Sequence, residues 1–417
     1  MKAEIIAVGS ELLTPTRTDT NSLFLTEQLN RLGIEVVRKV IVGDLGDQIR
    51  DAFEEALSRV ELVLSIGGLG PTADDRTRET VAELLGRKLV PSEAILRGIE
   101  ARFRRLGRTM PEINLRQAMV PEGAVVLENS RGTAPGLWME TDGHIVILLP
   151  GPPPELKAVF TEQVEARLAK RAPSSRLFRR ELRVAGMPES EVEQRIQPIY
   201  ARYPEAEATI LASPGEIQIH LRSWSAERAA AEKLLDEMVE RIILTLGENI
   251  FTTKGESLEE VVARQLTLNG ATIAVAESCT GGLLAERLTS IPGSSSYFLG
   301  GVVCYSNELK SAWVDVPAEL IRAKGAVSAE VSRALAEGIR RRSGSSLGLG
   351  VTGIAGPGGG SAEKPVGTVH IALAEEAGSK ERGLRFPGDR DRIRWQASQT
   401  ALDMVRRYFL SGVPPKG

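Results

Sequence analysis

Ser278, in the run Ala276-Glu277-Ser278-Cys279-Thr280-Gly281-Gly282, and Lys310, closing Cys304-Tyr305-Ser306-Asn307-Glu308-Leu309-Lys310, are a hydroxyl and an amine that together can make an activated nucleophile. Serine at its ordinary pKa attacks weakly and needs a base within hydrogen-bond reach. Lysine is such a base when burial or nearby cations hold it uncharged, and Gly388-Asp389-Arg390-Asp391-Arg392-Ile393-Arg394 carries candidate cations far along the chain. Taken singly, these residues have plainer roles. Ser278 or Thr280 would cap a helix, Lys310 would be solvated beside Glu308, and Tyr305 would be a core aromatic with its hydroxyl at the rim. Gly281 and Gly282 add something that capping does not require, a bare backbone that a ligand can approach closely.

The elements needed to position these groups are legible in the apolar pattern. A strand over 271–276 leads into a helix over 283–290, so Ser278 and Thr280 stand where free N–H groups point outward and favour developing negative charge. A second strand ends in Leu349-Gly350-Val351-Thr352-Gly353 and opens into a glycine-rich loop before 366–373. Loops at strand ends are where α/β sheets bind small ligands, although a glycine run by itself signals only a turn.

At the amino end, strands over 5–8, 34–42 and 62–66 alternate with helices over 21–31 and 47–58. This βαβαβ pattern predicts a doubly wound parallel sheet with helices on both faces and binding loops at the carboxyl ends of the strands. The main loop is Gly67-Gly68-Leu69-Gly70-Pro71-Thr72-Ala73-Asp74-Asp75, before a helix starting near Thr77. Its glycines suit a phosphate cradle and its two aspartates a hard divalent cation, while the plainer role of Asp75 is to cap that helix. Glu11 and Asp44 follow other strands of the sheet and are candidates to converge on the same edge, their plainer role being that of solvated carboxylates. A strand over 145–149 ends in Pro150-Gly151-Pro152-Pro153-Pro154, predicting another helix start there, ready for phosphate. The loop is not a GxGxxG dinucleotide fingerprint.

Arg171-Ala172-Pro173-Ser174-Ser175 reads as a linker. A small α+β domain follows, with strands over 181–185, 208–213 and 217–221 and helices over 189–203 and 226–246. At 417 residues with 42% hydrophobic composition, the chain predicts two or three domains with sizeable cores. A net charge of −3 gives no global pull toward nucleic acid or membrane. Two cysteines make no secreted disulfide framework, so a reducing cytoplasm is expected. The opening residues read as a strand rather than a signal peptide, and no apolar run approaches the roughly 18 residues of a membrane helix.

Residues 256–412 resemble the nicotinamide mononucleotide amidase family through AESCTGG, GGVVCYSNELK, GAVS, VTGIAGPGGGSAEKPVGTV and FPGDRDRIR, in that order. The resemblance implies hydrolysis of nicotinamide mononucleotide to nicotinate mononucleotide and ammonia without a cofactor. It puts the nucleophile on Ser278, the base on Lys310 and orienting donors on Tyr305 and Thr352. Thr280, Gly281, Gly282 and Gly353 would line the substrate, and one or more of Arg390, Arg392 and Arg394 would hold its phosphate, which suits a guanidinium.

VGSELL, TDTNS, GGLGPTADDRTRE and LPGPPPE resemble the molybdopterin-binding-like domain of the competence/damage-inducible protein A family, over residues 1–170. That resemblance implies a metal-dependent ADP-ribose pyrophosphatase yielding AMP and ribose 5-phosphate. Asp44, Asp74 and Asp75 would serve the metal, with Asp75 also catalytic, and Glu11, Asn21, Gly68, Gly70 and Gly151 would line the substrate. The cofactor implied is magnesium, manganese or cobalt, with a monovalent cation left open. Residues 176–252 resemble the KH-like connector of the same family but lack the RNA-clamping GxxG loop, so the connector reads as a spacer or dimerisation element, not a nucleic-acid binder. The whole resemblance implies a homodimeric, cytoplasmic hydrolase of two NAD breakdown products. Its alternative is a non-catalytic pterin- or nucleotide-binding protein acting in competence or the DNA-damage response.

Overall fold

The structure, a computed structural model, describes residues 1–411, so the boundary expected at 412 lies just outside the described residues. The chain divides into two compact units, residues 1–178 with 224–230, and residues 179–223 with 231 onward.

In the first unit a six-stranded sheet runs in the order Glu35–Val42, Lys2–Val8, Leu62–Ile66, His144–Leu149, Gly136–Thr141, Val125–Leu127. The first four strands are parallel, as the alternation predicts, but the last two are antiparallel. The departure has a local cause. Asp142 and Gly143 both have positive φ, 43° and 85°, between the paired residues Thr141 and His144. A two-residue Asp-Gly turn of this kind folds a strand straight back, so no crossover helix intervenes. Alternate residues of the central strands feed two cores. Ile5, Leu64 and Ile147 pack with Leu25, Leu29 and Phe160 on one face, and Ile6, Val63 and Val146 with Ile49, Phe53 and Val81 on the other. Both faces are covered by helices, so the carboxyl edge is the open side.

The second unit holds the connector and the C-terminal domain. The connector sheet orders Glu207–Ser213, Glu216–Ser225, Arg176–Ala185 and Ile250–Thr252, with helices Glu189–Tyr200 and Arg228–Leu246. The C-terminal sheet orders Phe298–Val303, Ile273–Glu277, Leu347–Gly353, Thr368–Glu375 and Gly378–Arg385. Its first three strands are parallel and the last two antiparallel. The helices Leu258–Leu268 and Arg390–Leu410 cover one face and Ala329–Ser343 the other. Ala185 and Phe251 of the connector sit in the same core as Val262, Leu402 and Val405 of that domain, so the connector is built into its neighbour rather than held off as a spacer. Among the described residues no helix is long and apolar enough to cross a membrane.

Candidate functional site

Ser278 directly follows the strand Ile273–Glu277, the middle one of the three parallel strands, flanked by Phe298–Val303 and Leu347–Gly353. The Cys304 N–H donates to Glu277 O at 2.9 Å and the Ser278 N–H to Val351 O at 3.0 Å. Ser278, Cys304 and Thr352 therefore end three adjacent strands in one row. The chain then turns through Gly281 and Gly282, with φ of 60° and 96°, before the helix Leu283–Thr289. Two consecutive left-handed residues demand glycine on conformational grounds.

The amino end of that helix is not open to a ligand as expected. Glu277, 1% exposed, accepts from the N–H groups of Gly282, Leu284 and Ala285 at 2.8–3.1 Å. A carboxylate thus takes the positive helix end, as the helix dipole favours. The N–H groups of Cys279 and Thr280 have no protein acceptor among the described residues.

Lys310, in the helix Asn307–Val314, is 1% exposed. Its Nζ donates to Cys304 O and Tyr305 O, both at 3.1 Å, and not to Ser278, whose hydroxyl has no hydrogen-bond partner among the described residues. Burial lowers its pKa. A neutral amine has two N–H bonds, both occupied by these carbonyls, which leaves its lone pair as the remaining direction for a hydroxyl proton. Burial pushes the neighbouring Cys279 thiol up to about 12 and raises Cys304 as well.

The other expected groups differ in what they can do. The Thr352 hydroxyl donates to Ala326 O at 2.8 Å, so it acts on a ligand as an acceptor and not as the orienting donor expected of it. Tyr305, 55% exposed, accepts from Arg390 at 3.0 Å and keeps its own proton to donate. Arg390 also donates to Gly356 O at 3.0 Å, and Arg394 donates to Thr280 O at 2.9 and 3.2 Å. Arg390 and Arg394 share a helix face one turn apart, whereas Arg392 lies about 200° round from Arg390 and packs on Gly388. The site therefore receives two of the three arginines. A Cβ on Gly353 would stand 3.0 Å from the Cys279 sulfur, and the Thr280 hydroxyl is buried without a partner among the described residues.

In the first unit a cavity of about 620 Å³ opens at the carboxyl edge of the sheet. It is lined by Glu11, Asn21, Asp44, Asp74 and Asp75, and by Gly68, Gly70 and Gly151. The Asn21 amide donates to Gly151 O at 2.8 Å, and its buried carbonyl oxygen has no partner among the described residues. Gly70 makes room for Asp75, since a Cβ there would meet the Asp75 carboxylate at 2.3 Å. Asp75 caps no helix: it accepts from the Thr72 N–H at 2.9 Å and from the Thr72 hydroxyl, while Arg76 occupies the cap position. Asp44 accepts from the Ser10 N–H at 2.9 Å.

Asp44, Asp74 and Asp75 share the cavity without forming a three-ligand cluster, and no group of three His, Cys, Asp or Glu is gathered for a metal among the described residues. Turn closure draws Asp75 onto its own loop, and Asp44 is held by the N–H of Ser10 in the neighbouring segment. Nor does the helix at Pro153–Val159 present free N–H groups to phosphate. Pro152, Pro153 and Pro154 have none, and Glu155 and Leu156 spend theirs on Pro152 O.

Comparison with known proteins follows this division. Residues 255–409 match the CinA C-terminal domain, 4–170 the "Probable molybdopterin binding domain" and 179–252 the "Damage-inducible protein CinA KH domain". A CinA-like protein of Koribacter versatilis is 49% identical over 414 residues, 98% of this chain and 100% of its own length. The chain belongs to the CinA family. A CinA-like protein of Syntrophomonas wolfei is 41% identical over 98% of this chain and 99% of its own. The crystal structure of a CinA protein from Thermoplasma acidophilum aligns with 40% of this chain and 97% of its own, at 37% identity and a TM-score of 0.38.

Two features of this CinA chain escaped the sequence reading. Glu277 stands inside the quoted AESCTGG motif, and an acid just before a helix start was the available signal for its capping role. The wall of the first cavity also includes Arg17, Asp19 and Glu155. The first immediately precedes the TDTNS motif, the second lies inside it and the third closes LPGPPPE.

Proposed function

We propose that this CinA protein is a bifunctional hydrolase whose C-terminal domain deamidates nicotinamide mononucleotide. One observation carries the reading: Lys310 is buried with its pKa lowered and both neutral N–H bonds engaged, at the sheet edge where Ser278 stands. In the reaction the Ser278 hydroxyl gives its proton to Lys310 as the oxygen bonds to the carboxamide carbon. The N–H groups of Cys279 and Thr280 receive the developing oxyanion. Collapse breaks the C–N bond, and the proton returns from Lys310 to the leaving ammonia. Water then adds to the acyl ester, releasing nicotinate mononucleotide and the free serine. Arg390 and Arg394 bind the phosphate.

The test is release of ammonia from nicotinamide mononucleotide by the full-length protein. Ser278→Ala should lower the rate by at least about a thousandfold with the fold intact. No ammonia from the parent would leave the non-catalytic binding reading in its place.

For the first domain we infer hydrolysis of ADP-ribose to AMP and ribose 5-phosphate, water adding across the diphosphate. The cavity has the size of a small-ligand site, and the donor set is one of hard carboxylate oxygens. Magnesium-type ions use one or two carboxylates together with substrate phosphates, which fits Asp44, Asp74 and Asp75 without a preformed trio. A bound divalent ion supplies neutralisation of the diphosphate and a more acidic water. The unpartnered Asn21 oxygen accepts from a substrate hydroxyl or amine. Chelation of divalent metal, or Asp75→Ala, should abolish AMP release and leave ammonia release unchanged; metal-independent AMP release would overturn the assignment. A cytoplasmic homodimer belongs to the same proposal.

A further inference from the structure

The cavity of the first domain is lined by six carboxylates, those of Glu11, Asp19, Asp44, Asp74, Asp75 and Glu155, and one cationic side chain, Arg17. Opposite charges sharing a cavity would be expected to pair, yet among the described residues none of the six is in an ion pair and Arg17 has no hydrogen-bond or ion-pair partner. Four of the six are held by uncharged donors instead. Asp19 accepts from the Ser22 N–H, Asp44 from Ser10, Asp75 from Thr72 and Glu155 from the Asn129 amide, at 2.7–2.9 Å. Arg17 is kept apart by its own segment. On one side the Thr14 hydroxyl donates to Glu11 O at 2.7 Å and contacts the Thr16 hydroxyl at 2.8 Å. On the other, Asp19 caps the helix Thr20–Arg31.

The guanidinium thus keeps its donors unspent in a cavity otherwise lined by carboxylates. Such a wall repels a diphosphate wherever carboxylates meet it without a cation, and it attracts one only where the guanidinium stands. A guanidinium fork also matches two phosphate oxygens at once, which an ammonium cannot do. We propose that Arg17 binds the phosphate oxygens of a diphosphate ester in this cavity and selects phosphorylated ligands there. The proposal rests on the pyrophosphatase reading of the domain and adds to it the residue that recognises the anion.

The test uses the full-length protein with saturating magnesium and two probes, ADP-ribose for turnover and inorganic pyrophosphate for binding by calorimetry. Arg17→Ala should raise KM for ADP-ribose roughly ten- to hundredfold, the range expected of a charge-assisted hydrogen bond, with the loss falling on KM rather than kcat. Arg17→Lys should recover part of the loss and Arg17→Gln none. Pyrophosphate binding should weaken by a similar factor in Arg17→Ala, and the unfolding temperature should stay put because the side chain is exposed. An unchanged KM in Arg17→Ala overturns the proposal and leaves the hydrolase reading standing. If the parent does not turn over ADP-ribose, the hydrolase reading fails and pyrophosphate binding decides for Arg17. Equal affinity in parent and variant, or no binding by the parent, overturns it.

Discussion

At the scale of single residues the proposed deamidation turns on a lysine that burial makes less willing to hold its proton. This has a pH consequence of definite sign. Below the lowered folded value the amine is charged in both folded and unfolded chains, and the burial penalty is present in full. As pH rises through that value the folded protein sheds the proton first. Stability then grows with pH until the unfolded lysine, near 10.4, deprotonates as well. Lys310→Met should therefore flatten this alkaline gain in thermal unfolding, be no less stable than the parent at neutral pH, and lose deamidase activity. The parent's kcat/KM should rise with pH on the limb that reports the free base. Cys279 provides a contrast one residue from the proposed nucleophile, Ser278. With its thiol held up to about 12, it is neutral at working pH, so iodoacetamide at pH 7.5 should leave ammonia release intact. Rapid inactivation by modification at Cys279 would mean that its environment has been misread.

At the scale of elements, the turn carrying Ser278 is shaped from both sides. Gly281 and Gly282 supply its left-handed bends, and Glu277 ties the following helix back to the strand. A buried glutamine accepts less well at three N–H groups and sets its own NH2 against one of them. Glu277→Gln should cost about 1–3 kcal/mol in denaturant unfolding and lower kcat, because Ser278 rides on the same turn. Arg390 and Arg394 reach the site only because the helix Arg390–Leu410 begins beside it, with a spacing of four bringing both to one face. Arg392→Ala should accordingly raise KM for nicotinamide mononucleotide far less than Arg394→Ala, and equal effects would contradict the assignment.

The whole molecule is two units with separate cores, and the second spans the connector and the C-terminal domain. Asp403 is central to that union. It accepts from Arg406 at 2.6 and 2.8 Å and from Arg407 at 2.7 Å. The same arginines reach Glu248 O at 2.7 Å and the Asn249 side chain at 2.8 Å in the connector. Asp403 and Arg406 are 3% and 2% exposed, so Asp403→Ala strands a buried guanidinium and should cost about 3–5 kcal/mol. Calorimetry of the parent should resolve two transitions. Nicotinamide mononucleotide should raise the one that Asp403→Ala lowers, and ADP-ribose with magnesium the other. A single transition moved by both ligands would contradict independent units.

Local pattern carried much of this. Leu62–Ile66 stands where the apolar run put it, and most other expected elements agree with the structure to within a few residues, because hydrophobic period and turn residues are short-range properties. The antiparallel edge at Gly136–Thr141 was readable too, in the Asp142-Gly143 pair. What no local pattern determines is which partner each polar atom finds. Glu277 closes the helix end that looked open, Thr352 spends its proton on Ala326, and Asp75 folds onto Thr72. Arg17 stays unpaired among carboxylates, as far as the described residues go. Donor and acceptor types are written in the residues themselves. Their pairing depends on distances between segments far apart in the chain, and packing of the sheet and its helices alone sets those distances.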